Sequence, residues 1–191
     1  MKKGNKSFSR TLLLTLFLLL VFGASSLTAQ KKFSVENGEI SFTSNAKLEL
    51  INASSKKIQG IIDPATNSFA FIVKVKSFEG FNSNLQQQHF NDKYMESDKY
   101  YDATFTGKII DPIDFTKDGV YEVRAKGNLV VHGKKQTRII PGKIQIEKGI
   151  VSINSSFNVP LADHDIQIPQ IVSEKVATEI IVKLNASMIQ R

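Results

Sequence analysis

The sequence predicts an all-β fold: an antiparallel, up-and-down barrel of about eight strands with one inserted helix that caps or rims it. Three observations predict it. Apolar and polar residues alternate with period two over most of the chain from Ser68 onward. One polar, helix-like stretch, NSNLQQQHFNDKYM, interrupts the alternation. The apolar faces mix Phe, Val and Ile with the small residues Gly60, Ala103, Gly107, Ala125, Gly127, Ser155 and Ala186. In a barrel of this size such a mixture suits an interior able to hold one ligand. It suits ordinary small-against-large packing in a closed core equally well.

The elements follow in order. Leu48 and Leu50 are expected on one face, and after a Ser54-Ser55-Lys56-Lys57 turn so are Ile58, Gly60 and Ile62. Asp63-Pro64-Ala65-Thr66-Asn67 has the composition of a turn. Phe69, Phe71, Val73 and Val75 then point one way, with Lys74 and Lys76 opposite. The helix starts near Asn82, Ser83 or Asn84, any of which can cap it. It carries Leu85 and His89 on one face, with Phe90 and Tyr94 nearby. Three more runs alternate: Tyr101 to Ile109, Tyr121 to Val131, and Val151 to Val159. The last strand sets Thr178, Ile180, Val182, Leu184 and Ala186 against Glu179, Lys183 and Asn185. Polar residues hold one face of each strand, as in antiparallel sheets covered on one side.

Residues 1–29 read as a cleaved signal peptide. Lys2, Lys3, Lys6 and Arg10 precede an apolar run from Leu12 to Phe22; Leu27 and Ala29 then stand at −3 and −1 of a cleavage point after Ala29. The alternative is an uncleaved anchor, but the run is shorter than the roughly 20 residues a spanning helix needs. The chain has no cysteine, which excludes lipidation at a lipobox and leaves an exported domain to rely on its core alone. The expected location is periplasmic or secreted, with residues 30–191 as one domain. Removing the four basic residues of the signal lowers the net charge from +7 to +3. The remaining basic residues are scattered, without the basic stripe and interleaved aromatics that nucleic-acid binding needs.

Catalysis is not indicated. There is no Cys nucleophile, no GxSxG elbow and no HExxH. His89, His132 and His164 could in principle share a metal, and Asp163-His164-Asp165 has ligand-type side chains, but no ligand spacing accompanies them. His132-Gly133 reads instead as a hairpin turn, and Asp111 and Asp114 fall in the turn DPIDFTKDG. No metal and no cofactor are expected.

Several short motifs, in order and over much of the chain, carry a resemblance. They are Phe78-Glu79-Gly80-Phe81, Leu85, His89-Phe90, Tyr94-Met95-Glu96-Ser97 and Lys99 through Gly107. Gly127-Asn128-Leu129-Val130-Val131-His132-Gly133, Phe157-Asn158-Val159-Pro160-Leu161 with Asp163, Ile168-Pro169 and Lys175-Val176-Ala177 follow. On these residues the chain resembles the YceI-like family of exported, lipocalin-like, polyisoprenoid-binding proteins. It departs from the family pattern in two places. Tyr101 stands where a Pro usually follows the Lys-Tyr pair, and the hairpin continues Lys134-Lys135-Gln136-Thr137.

The resemblance implies a noncatalytic barrel that encloses a long apolar lipid, such as an isoprenoid or quinone, as cargo. Enclosing a hydrocarbon chain gains about 0.8 kcal/mol per CH₂ and needs no hydrogen-bond code. The expected ligand-lining residues are Phe69, Phe71, Val73, Phe105, Tyr121, Val123, Ala125, Leu129, Val151, Ile153, Phe157, Ile180 and Val182. Leu85, Phe90 and Met95 are expected to line the entrance from the helix. The partners expected are an apolar lipid and, as an option left open, a second copy of the chain in a homodimer; neither nucleic acid nor a stable membrane anchor is expected. The alternative is a barrel with a filled core that acts through its surface as a stress-related interaction protein without a lipid cargo.

Overall fold

The computed structural model describes residues 31–191; the expected signal over residues 1–29 lies outside the described residues. Tight turns set much of the register. His132-Gly133 and Lys148-Gly149 are two-residue hairpin turns in which both residues have positive φ (50° and 69°, 50° and 79°). This type I′ geometry matches the right-handed twist of the strands it joins, and glycine takes the second position without steric cost. Asp63 accepts from the Ala65 N–H (3.0 Å) and opens the turn that ends at Asn67, itself left-handed at φ 54°.

Nine strands result: β1 (Phe33–Asn45), β2 (Leu50–Ser55), β3 (Gln59–Asp63), β4 (Ser68–Lys74), β5 (Asp102–Ile109), β6 (Gly119–Val131), β7 (Lys134–Glu147), β8 (Ile150–Pro160) and β9 (Glu179–Gln190). Every pairing is antiparallel. β1, then β3 through β9, form a ring of eight strands that closes where β9 pairs back onto β1. β2 lies outside the ring, on the part of the β1 edge that β3 leaves free. The helix α1 (Asn84–His89) sits between β4 and β5 and runs on as a π-turn, Phe90–Tyr94. This is the antiparallel barrel with one helix that the alternation predicts, and the lipocalin-like fold that the resemblance implies.

Two strands are not legible as period-two runs, and each has a local reason. In β1 the register shifts between Val35 and Asn37, a bulge that moves the inward set from Phe33 and Val35 to Ile40, Phe42 and Ser44. In β7 the first half, KKQTR, is polar and Pro141-Gly142 interrupt the rest. Leu48 and Leu50 correct the expectation for β2. Leu48 falls in the β1–β2 connection, and both are exposed (62% and 52%) while Ile51 and Ala53 turn inward.

The interior divides along the barrel axis. At one end Phe33, Ile62, Phe69, Ile109, Val123, Ile144, Ile146, Val151, Ile153 and Met188 make a closed cluster, plugged by Phe115 and Ile113 from the β5–β6 loop. Asp111 receives the Arg124 guanidinium (2.6 Å), and Asp114 accepts from the Thr116 N–H (3.0 Å) and hydroxyl (2.6 Å). Asp111 therefore holds the plug loop to β6, and Asp114 pins the loop on itself. A second cluster (Ala53, Ile58, Val73, Phe78) and a third (Val75, Met95, Ile166) lie toward the opposite end.

Candidate functional site

The opposite end is hollow. A cavity of about 450 Å³ lies there, within the range of small-molecule sites. Its walls are inward residues at the ends of strands: Ile40 and Phe42 on β1, Ala103 on β5, Leu129 and Val131 on β6, Phe157 and Val159 on β8, and Ile180 and Val182 on β9. Val75, Phe78, Phe81, Leu85, Phe90 and Met95 cover it. His89 and Lys175 border the cavity yet are exposed to solvent, so they mark its mouth. Glu49, Gln86 and Tyr94 also border it.

The cover is fastened by its own sequence. Ser83 caps the helix, its hydroxyl accepting from the Gln86 N–H (3.2 Å), while the Gln86 amide oxygen accepts from the Asn82 N–H (3.0 Å). The exchange is close to a capping box and fixes where the short helix starts. The Gln86 amide nitrogen also donates to Glu49 (2.8 Å), tying the helix to the β1–β2 connection. Past His89 the wider π-turn closes with the Met95 N–H on the Phe90 carbonyl (2.9 Å), which brings Phe90 and Met95 to the same cavity. π-turns of this kind are frequent at functional sites. Phe42 is the hub beneath: its ring stacks on Phe90 (centroids 5.2 Å) and meets Phe78 (5.5 Å) and Phe81 (6.0 Å). Burial, and then the Glu49 carboxylate, raise the Tyr94 phenol above its ordinary value, so it stays neutral at physiological pH.

One wall of the hollow end is joined by side chains. The β7–β8 ladder stops at Lys143 opposite Asn154. Beyond that, Arg138 donates to the Asn158 carbonyl (2.8 Å), Gln136 to the Asp163 carbonyl (2.6 Å) and Ser155 to the Pro141 carbonyl (2.7 Å). The two buried histidines belong to this fastening. His164 Nδ1 donates to the Lys134 carbonyl (3.1 Å), and His132 Nδ1 donates to the His164 carbonyl (3.0 Å) with its Nε2 3.1 Å from Glu96. Tyr100 lies edge-on to His132 (4.5 Å) and covers Gly133, where an added Cβ would meet its ring at 2.4 Å. Among the described residues, no group of three or more His, Cys, Asp or Glu could hold a metal ion, and no helix is long and apolar enough to cross a membrane.

The expected lining residues divide between the two ends. Leu85, Phe90, Met95, Leu129, Phe157, Ile180 and Val182 line the cavity. Phe69, Val123, Val151 and Ile153 are in the closed cluster, with Phe105, Tyr121 and Ala125 packed against it. Val73 belongs to the second cluster, and Phe71 packs against both clusters. Sequence reasoning did not reach Ile40 and Phe42, because the β1 bulge hides their phase, or Ile51, because the expected β2 face is the one with Leu48 and Leu50, nor Ile166, Val172 and Val176, which reach the cavity from a loop. Val176 falls in the Lys175-Val176-Ala177 motif, while Ile166 and Val172 carry no signal beyond being apolar residues in a connection without periodicity.

The fold and site define a closed antiparallel barrel, solid at one end and hollow under a short helix at the other. The chain belongs to the YceI-like family: the family model for the YceI-like domain matches residues 24–188. Solved structures with the same fold include a polyisoprenoid-binding domain from Saccharophagus degradans implicated in plant cell wall breakdown. It has a TM-score of 0.68 and 16% identity, over 83% of this chain and 98% of that one. BcnA of Burkholderia cenocepacia gives a TM-score of 0.66 and 16% identity over 78% and 95%. The YceI protein of Campylobacter jejuni gives 0.54 and 17% over 73% and 84%. No curated protein sequence matches the chain.

Proposed function

We propose that the chain is an exported, noncatalytic binding protein that encloses the apolar chain of an isoprenoid- or quinone-type lipid for carriage or sequestration. The observation that carries this reading is the cavity: about 450 Å³, walled mainly by Phe, Leu, Ile and Val. Burying hydrocarbon there supplies the binding energy, at about 0.8 kcal/mol per CH₂. Membership of the YceI-like family and the fold shared with a polyisoprenoid-binding domain support it. The basic n-region and apolar run of residues 1–29 support export, to the periplasm or beyond. The alternative of a filled barrel acting only through its surface has no use for such a cavity.

Native mass spectrometry tests the proposal, on protein purified from its own envelope without detergent and followed by organic extraction. The expected result is a polypeptide of residues 30–191 carrying a stoichiometric lipid adduct. A bare mass that stays unchanged after incubation with prenyl lipids overturns the carrier reading, and an N-terminus at Met1 overturns the cleaved signal.

A further inference from the structure

Exposed apolar side chains gather around the mouth of the hollow end. Of the eleven large apolar residues exposed among the described residues, four come from the segments that meet there. They are Leu48 and Leu50 (62% and 52% exposed), Leu85 (59%) and Ile171 (92%). Leu85 lines the cavity and faces solvent at once. The others flank residues that border the cavity: Leu48 and Leu50 stand on either side of Glu49, and Ile171 precedes Val172. Hydrogen bonds fasten the segments into one rim. The Leu48 N–H donates to the Glu174 carbonyl (2.8 Å), and the Lys47 ammonium meets the Glu174 carboxylate (2.6 Å). From the helix side, Gln86 donates to Glu49 (2.8 Å) and Asn82 to the Leu50 carbonyl (3.1 Å). A single exposed leucine needs no explanation, but four around the opening of an apolar cavity form a patch that the barrel's own packing does not use.

Charge and shape decide what the rim fits. Across residues 46–50, 82–94 and 170–177, Lys47, Lys93 and Lys175 are balanced by Glu49, Asp92 and Glu174, so no net charge directs the rim to a charged partner. Side chains that stand out singly around an opening offer no flat face to a second copy of the chain. They can sink into fluid hydrocarbon, while Lys47 and Lys175 keep their ammonium groups among the headgroups. Resting on the carrier reading above for its purpose, we propose that this rim is a docking surface for a neutral lipid bilayer. Leu48, Leu85 and Ile171 enter the acyl boundary and seat the mouth on the membrane, so that an apolar ligand passes between bilayer and barrel without crossing water. The seating is reversible. Three four-carbon side chains carry about as much hydrocarbon as one myristoyl chain, which by itself binds membranes only marginally.

The test uses the polypeptide of residues 30–191, which contains every strand of the barrel. The chain has no tryptophan, so one introduced at a time reports its own surroundings. Leu85→Trp and Ile171→Trp place it on the rim; Ile150→Trp places it on an exposed residue beside Val151 of the closed cluster. Each variant is titrated with phosphatidylcholine vesicles. The rim tryptophans are expected to shift to the blue and to be quenched by brominated acyl chains, and Ile150→Trp to stay unchanged. Binding should hold within about twofold when salt rises from about 0.1 M to about 1 M, because no net charge is screened. The triple variant Leu48→Ser/Leu85→Ser/Ile171→Ser, altered only at exposed positions, should bind vesicles about a hundredfold more weakly in flotation. Rim tryptophans that stay in water at saturating lipid, or an Ile150→Trp signal that shifts with them, overturn docking through the mouth. A dimer that the triple variant dissociates, with no vesicle binding, assigns the rim to a second copy and overturns it too. Lipid uptake, read by mass spectrometry, is the separate arm. Uptake without docking overturns the docking surface alone; docking without uptake upholds the surface and overturns the carrier reading.

Discussion

The two ends of this barrel are built from the same strands with the same alternation, yet one is solid and the other hollow. At the solid end a loop enters the barrel: Phe115 and Ile113 drop between the strands and Phe115 meets Phe33 at 5.5 Å. Phe69 and Phe105 face each other at 4.8 Å just inside. At the hollow end the covering helix lies across the mouth, and the aromatic residues that flank it, Phe78, Phe81 and Phe90, gather on Phe42. The difference teaches that the connections, more than the strands, decide whether a barrel of this size holds a ligand. A loop that inserts fills the interior; a helix that spans leaves it empty.

The largest effect expected from this contrast is on stability. Phe69→Ala, in the closed cluster, should lower the unfolding free energy by about 3–5 kcal/mol, since the surrounding core can relax only in part. Phe157→Ala removes the same ring from a wall that already faces empty space, and should cost only about 1 kcal/mol. Urea unfolding of the two variants checks this, and equal losses would break the distinction between the ends.

A smaller effect comes from adding volume. Ala125 is packed against the closed cluster and Ala103 borders the cavity. Ala125→Phe should destabilise by about 1–3 kcal/mol through overpacking. Ala103→Phe should leave the unfolding midpoint nearly unchanged and abolish lipid uptake, because its ring occupies the ligand's space. Uptake surviving Ala103→Phe in a folded barrel would place the lipid elsewhere.

The small residues show how far a sequence can be read here. On paper each of them suits either room inside the barrel or ordinary close packing. In the structure Phe71 covers Gly60, and Gly107 and Gly127 face each other so closely that an added Cβ would meet backbone at 2.1 and 2.3 Å. Ala125 is absorbed by the closed core, and of the group only Ala103 reaches the cavity. A glycine opposite a large ring and a glycine opposite a void have the same local pattern, because what fills the space comes from another strand. Alternation therefore revealed seven of the strands and the barrel, but could not separate wall from core. The motifs that carry the resemblance did better. Phe78, Phe81, Phe90 and Met95 cover the cavity, while Glu96, Tyr100, His132 and Gly133 clasp the same end.

The smallest expected effect separates the ends by how their loops are pinned. Asp114, in the plug loop, is lowered to about 2, first by the Thr116 hydroxyl and N–H and then by Lys117. Asp165, at the hollow end, is lowered by its hydrogen bond to the Lys134 ammonium and by that charge. Both carboxyls have folded values below their ordinary 3.8. Each therefore contributes fully above about pH 4, and its contribution is lost as the pH falls through the folded value. The causes differ in one testable respect: salt screens an exposed ammonium–carboxylate pair strongly and hydrogen bonds from neutral donors weakly. Carboxyl-carbon NMR titrations at low and at high ionic strength should show Asp165 moving back toward its ordinary value while Asp114 stays near 2. Amide exchange in the plug loop should then accelerate only as the pH approaches 2, at either salt concentration. Equal salt shifts at the two residues would mean that Lys117, rather than Thr116, dominates at the solid end, and that both ends are pinned by the same screened attraction.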